Sequence, residues 1–135
     1  PGTVKVVARK NGKIVRQQTI RTAGAPAGIR LIPDKRTIKC DGQDLCFVKV
    51  EVIDKNGNLC PNAENLVQFN VAGPAFIAGV DNGCETSLES FKDNKRKAFY
   101  GKCLVVLQSN SKPGTITLTA TSKGLAKSTL IVEEH

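Results

Sequence analysis

The sequence predicts an all-β chain: an antiparallel sandwich of about seven strands, preceded by a β-hairpin. Three observations predict it. Turn-forming residues punctuate the 135 residues at intervals of about ten. The runs between them are rich in Val, Ile, Thr and Leu. They alternate with a period of two, as half-buried strands must, because successive side chains point to opposite faces. No segment sustains the periodicity of an amphipathic helix.

The elements follow in order. TVKVVARK and KIVRQQTI, spanning 3–20, flank Asn11-Gly12. Asn-Gly suits a hairpin turn in which both central residues take positive φ. Small residues with Pro26 follow, and residues 23–28 read as a linker between domains. The first sandwich strand is expected over Ile29–Ile32, resuming at Thr37–Cys40 after Pro33. The second is Leu45–Asp54, with Cys46, Val48, Val50 and Val52 inward and Lys49 and Glu51 outward. Next comes Asn65–Val71, with Val67, Phe69 and Val71 inward, then a short strand at Phe76–Val80. Cys103–Ser109 is the fifth strand. Thr115–Thr121 is the sixth, with Ile116, Leu118 and Ala120 inward and threonines outward, and Ala126–Val132 the seventh.

Seven such strands over residues 29–133 match an immunoglobulin-like sandwich in size and turn spacing. Residues 1–22 then read as the last hairpin of a preceding sandwich domain, because two strands alone are marginal in water. Pro1 stands inside a strand-like pattern, which reads as a piece cut from a longer protein, and Glu134-His135 reads as the start of a purification tag. Between the fourth and fifth strands lies Asp81–Lys102, too long for an ordinary connection. Such a loop is functional or a covering flap. Leu88, Phe91, Phe99 and the Tyr100 ring are expected to pack it onto the sheet.

Charge and composition exclude several classes. The net charge is +8, and residues 1–40 hold ten Lys/Arg against Asp34 alone. Those cations are interleaved with apolar residues in strand rhythm, and no aromatic precedes Phe47 to stack on a base. A solvated strand face, not a nucleic-acid partner, is the ordinary meaning. No apolar run approaches the roughly 20 residues needed to span a bilayer, so no membrane partner is expected. The five cysteines lack metal-ligand spacing, and the only His is His135. No metal, no cofactor and no His-assisted nucleophile are therefore expected. Cys60, Cys84 and Cys103 should gather at one end of the sandwich, and Cys40 and Cys46, both facing inward, at the other. Most are expected to be free, buried small hydrophobes.

FIAGVDNGCETSLESFKDNKRKAFYGKCLVVLQSN, with DGQDLCFVKVEVIDKNGNLCPNAENLVQFNVAGPAFIAGVDNG and GTITLTATSKGL, resembles the C-terminal immunoglobulin-like domain of bacterial β-galactosidases in glycoside hydrolase family two. The first 22 residues, up to the TAGAPA junction, resemble the end of the domain before it. One departure is Cys84, where the family commonly has an acid. The resemblance implies a non-catalytic accessory domain whose partners are other domains of the same polypeptide. The family's catalytic glutamates belong to a barrel domain, and none carries over to a position here. It favours a periplasmic or secreted parent.

Two other functions compete: a carbohydrate-binding module and an adhesin-type spacer repeat. A retaining glycosidase needs two carboxylates roughly 5 Å apart around a sugar. Glu85 and Glu89 would converge only on a helical loop. The bland reading is that Asp81, Glu85, Glu89 and Asp93 neutralise Lys92, Lys95, Arg96 and Lys97. For sugar binding, Tyr100 is the one aromatic platform with a polar handle. Asp81, Asn82, Glu85, Glu89 and Tyr100 are thus the candidate ligand or interdomain contact residues, with no catalytic residue expected. Self-association through residues 3–20 is the remaining expected partnership, because an unpaired hairpin edge invites a second copy.

Overall fold

The computed structural model describes residues 2–135, all in strands, turns and loops. Strands β1 (Thr3–Lys10) and β2 (Lys13–Arg21) form the hairpin. Asn11 and Gly12 take φ of 51° and 75°, as the paired positive-φ turn requires. Among the described residues, β1 and β2 pair only with each other. Val4, Val6 and Ile20 remain 55–60% exposed, so the hairpin buries almost nothing.

The sandwich is built from two sheets. β4 (Thr37–Ile38), β11 (Ser128–Glu134), β10 (Gly114–Thr121), β6 (Leu66–Ala72) and β8 (Lys95–Lys97) form one, in that spatial order. β3 (Pro26–Pro33), β5 (Leu45–Asp54), β9 (Lys102–Ser109) and β7 (Ala75–Asp81) form the other. Alternation fills the space between them. Val48, Val50, Val105 and Leu107 from the four-stranded sheet meet Val67, Phe69, Ile116, Leu118 and Val132 from the five-stranded one. Burial of each large aliphatic side chain contributes about 1.5–3 kcal/mol. The sandwich expected from the sequence is thus the observed fold, and the inward residues of β5, β6 and β10 are those that alternation picked out.

Several boundaries differ. β3 begins at Pro26, so Pro26–Gly28 pairs in a sheet where a linker was expected; Gly28 lies opposite Ile53. The expected first strand splits between the sheets. Pro33 has no N–H to continue the ladder, and after Asp34–Arg36 the chain re-enters as β4. That strand pairs with β11 in parallel, Glu133 opposite Thr37; a parallel bridge also joins Gly28 to Ala126, and the other strand pairs among the described residues are antiparallel. The last strand begins at Ser128 because Gly124, at φ 77°, extends the preceding turn. Glu134, expected to lie outside the domain, belongs to that strand and is buried, accepting a hydrogen bond from the Ser109 hydroxyl, so it is part of the fold. β8 lies within the long loop and was not anticipated.

The five cysteines are free. Cys103 lies in the main core opposite Val50, and Cys60 in a smaller one with Val52, Ala63 and Ala98, its N–H bonded to the Val52 carbonyl. Cys84 follows Asp81, which lies opposite Leu104, so the three stand at one end of the sandwich as expected, without sharing one cluster. Cys84 sits on the loop beside the Thr86 hydroxyl. Cys46 is fully buried but Cys40 only half so. Burial pushes the Cys103 thiol up to about 12 and the Cys46 thiol up to about 11, which leaves both unreactive near neutrality.

Candidate functional site

The loop between β7 and β9 runs between the open edges of the two sheets. It leaves β7, the edge of the four-stranded sheet, and returns through β8, the edge of the five-stranded one. Its backbone is bonded to both sides. The Val80 N–H donates to the Phe91 carbonyl at 2.8 Å, and the Phe69 N–H to the Asn94 carbonyl at 2.7 Å. Lys92 Nζ donates to the Ala78 carbonyl at 2.7 Å, at the bulge of β7. The loop thereby covers a strand edge that would otherwise offer unpaired backbone groups.

Its pin is Arg96. In β8 this residue lies opposite Val67 and points inward, a position that alternation normally gives to an apolar side chain. The side chain is fully buried. Nη1 donates to the Glu89 carbonyl and Nη2 to Asn82 Oδ1, both at 3.1 Å. Asp81 and Glu89 carboxylate oxygens stand 3.7 and 3.6 Å away. The Phe91 ring covers the guanidinium at 5.1 Å. A buried arginine demands such company, since an unpaired buried charge is costly. Arg suits the position better than Lys because its planar fork reaches several acceptors at once.

Three of the sequence-predicted residues therefore converge: Asp81, Asn82 and Glu89 surround Arg96. Asn82 also donates from Nδ2 to the Lys97 carbonyl at 2.9 Å, and Glu89 Oε1 accepts the Lys97 N–H at 3.1 Å. The other two stand apart. Glu85 is exposed and makes no ion pair among the described residues. Tyr100 is 67% exposed at φ 49°, its ring edge-on to Phe99 at 4.5 Å. The turn is closed by Gly101, which packs against the Cys60 carbonyl at φ 76°, where a side chain would collide. No helix forms over the loop, so Glu85 and Glu89 are not brought together by one.

The expected packing of the loop by apolar residues fails at Leu88, Phe91 and Tyr100, and only Phe99 of the four is half-buried. Leu88 is fully exposed and Phe91 is 60% exposed, holding only the guanidinium. A polar cluster does the work assigned to them. The expected neutralisation of Arg96 by Asp81 and Glu89 is observed, but the burial of that pairing was not foreseen. The usable signal was strand alternation, which puts Arg96 and Ala98 on one face, and both are buried.

Chemically, the cluster is occupied by its own members. Asp81 Oδ1 accepts the Asn82 and Gly83 N–H groups at 2.7 and 3.2 Å, and Glu89 Oε2 accepts the Ser87 hydroxyl at 3.2 Å. A cleft of about 770 Å³ lies elsewhere, between the hairpin and residues 58–63, lined by Val4, Ile20, Ala23, Leu59 and Pro61. No carboxylate lines it. No cluster of three or more metal-ligating side chains occurs among the described residues.

The model of the glycoside hydrolase family 2 C-terminal domain 5 matches residues 29–131. The chain belongs to that family. It is 63% identical over 130 residues to the β-galactosidase BoGH2A of Bacteroides ovatus, an alignment covering 96% of this chain and 15% of that protein. It is 31% identical over 127 residues to a β-glucuronidase of Formosa agariphila, covering 91% of this chain and 12% of the relative. A crystal structure of a β-glycosidase from Bacteroides vulgatus superposes with a TM-score of 0.95 at 35% identity, covering 98% of this chain and 17% of that one. This family 2 domain thus spans about 15% of the length of its first curated relatives.

Proposed function

We propose that this chain is a non-catalytic accessory domain of a β-galactosidase-type glycoside hydrolase, packing on other domains of the same polypeptide during carbohydrate degradation. The observation that carries this is the engagement of Asp81 and Glu89 by Arg96. The two acids that do converge flank a buried guanidinium, where a retaining glycosidase needs a sugar between its carboxylates. The catalytic glutamates of the parent then lie outside these residues. The 63% identity to a β-galactosidase, against 31% to a β-glucuronidase, favours a β-galactoside as the parent's substrate.

The division of the chain belongs to the same proposal. Residues 1–22 are the end of a preceding domain, and the sandwich runs from Pro26 to Glu134. The exposed Val4, Val6 and Ile20 support it, since they need a partner that the sandwich does not supply. In the isolated chain that partner is a second copy. Association should strengthen with ionic strength, because salt screens the basic hairpins from one another.

The test is incubation of the 135-residue chain with a chromogenic β-galactoside. The expected rate is that of buffer. Turnover that survives purification and vanishes in Glu85→Gln or Glu89→Gln contradicts the proposal. A second reading, sugar binding, is favoured only by the exposed Tyr100 ring. Retention on a glycan array that is lost in Tyr100→Ala would establish it.

A further inference from the structure

The outer face of the four-stranded sheet is apolar where the fold predicts polarity. A sheet face turned to water normally carries polar residues between the inward ones. Here Phe47 and Phe76 are 44% and 48% exposed, and Ile32, Leu45, Leu104 and Val106 are half-buried beside them. The register makes them contiguous. Phe47 lies opposite Val106, Leu45 and Phe76 lie on either side of Gln108, and Ile32 and Leu104 flank Lys49. With strands about 4.8 Å apart and two residues of offset along β9, Phe47 on β5 and Phe76 on β7 stand about 12 Å apart.

Among the described residues, most polar side chains of this face are engaged, Lys102 excepted. Arg30 pairs with Glu51 at 2.6 Å, Lys49 with the same carboxylate at 3.4 Å, and Lys35 with Asp44 at 2.6 Å. Gln108 Nε2 donates to the Gly42 carbonyl at 2.9 Å. The floor of the patch thus offers apolar area, rimmed by charged groups most of which are ion-paired. That composition resembles the centre and rim of a protein–protein interface. It does not suit a sugar, whose hydroxyls need free donors and acceptors close to the aromatic ring.

We propose that this face is the seat of another domain of the same polypeptide, through an apolar surface of that domain, which presupposes the accessory reading above. Length decides between that occupant and a second copy. The domain is about 15% of its relatives' chains, so most of such a polypeptide is tethered to it. A tethered partner meets the patch at an effective concentration in the millimolar range, far above that of a separate molecule.

The experiment uses the full-length polypeptide with the photo-reactive amino acid p-benzoylphenylalanine in place of Phe47 or Phe76. The same amino acid replaces Thr117, on the outer face of the other sheet, as control. A mixture of isotopically light and heavy protein separates links within a chain from links between chains. The expected result is an intrachain link from positions 47 and 76 to a peptide outside these 135 residues, at a yield several-fold above that from 117. Mixed-isotope links, or a yield no higher than the control, overturn the proposal. So does loss of the link on adding a galactose-containing oligosaccharide while the hydrolase stays folded, which would assign the face to sugar. If the links fail while the full-length protein hydrolyses a β-galactoside and the 135-residue chain does not, the accessory reading stands and only this surface is wrong.

Discussion

The two outer faces of the sandwich differ in what they show to water. On the five-stranded sheet, β10 presents Thr115, Thr117, Thr119 and Thr121, and β6 presents Gln68 and Asn70. Its exposed large hydrophobics, Leu66 and Ile131, lie on different strands, far apart and surrounded by polar residues. Scattered apolar residues of that kind are ordinary. On the four-stranded sheet the corresponding positions hold Leu45, Phe47, Phe76, Leu104 and Val106 in one contiguous patch. The same fold, with the same inward alternation, thus carries one face finished for solvent and one finished for contact. Stability is settled between the sheets, and partnership is settled on one outer face.

That contrast requires a sandwich that stays closed, so the largest effect comes from opening it. Arg96→Ala leaves Asp81 and Glu89 without their counter-charge and frees the loop that bridges the two edges. The loss should be about 3 kcal/mol, at the lower end for a buried pair because both acids are partly exposed. Denaturant unfolding measures it, and amide exchange over residues 82–94 should rise with it. A loss below about 0.5 kcal/mol, typical of a surface change, would show that the loop is held some other way.

Substitution on the faces sharpens the comparison next. Phe47→Asp with Phe76→Asp should weaken docking in the full-length polypeptide by about 2 kcal/mol, the scale of an aromatic hot spot. In the 135-residue chain the pair should change stability by no more than about 0.5 kcal/mol, and Thr117→Asp should be near neutral in both forms. Equal effects from the two faces would erase the distinction between them.

A smaller effect is acid sensitivity, which should fall on the four-stranded side. Asp44 and Asp54 stand at the two ends of β5. The Lys35 ammonium and backbone N–H groups lower the Asp44 carboxyl to about 2. Asp54 is held well below the usual range, first by the Gly24 N–H, then by the Asn58 amide and the N–H groups of Asn58 and Asn56. A carboxyl depressed in the folded state binds its proton more tightly when unfolded, so its stabilisation is complete above about pH 4 and declines as pH falls toward the folded value. Unfolding midpoints should therefore be flat from pH 7 to 5 and drop below pH 4. Asp54→Ala should lower the plateau and flatten the drop. An unchanged profile in that variant would remove Asp54 from the account.

Much of this was legible in the sequence. Period-two alternation found the inward rows of β5, β6 and β10, because burial on one face leaves that pattern directly. Asn11-Gly12 found its hairpin because few residue pairs tolerate two positive φ values. The switch of the first strand between sheets was not legible, since Pro33 signals an interruption but not where the chain goes afterwards. For Arg96, the pairing with Asp81 and Glu89 was legible, but its burial within the loop was not. A buried arginine is revealed only when Asp81, Asn82 and Glu89, up to fifteen residues away, fold back upon it. The apolar outer face was present in the sequence as Leu45, Phe47, Leu104 and Val106, but judging it required the register that sets β5 against β9 and β9 against β7.

Hydroxyl-radical footprinting of the 135-residue chain and of the full-length polypeptide compares the two faces residue by residue. Each side chain is read against itself in the two forms. In the 135-residue chain Phe47, Phe76, Leu66 and Ile131 should all be oxidised, in keeping with exposures of 44–52%. In the full-length polypeptide, oxidation of Phe47 and Phe76 should fall several-fold while Leu66 and Ile131 stay unchanged. Undiminished oxidation of Phe47 and Phe76 there, or protection of Leu66 and Ile131 in their place, would contradict the account.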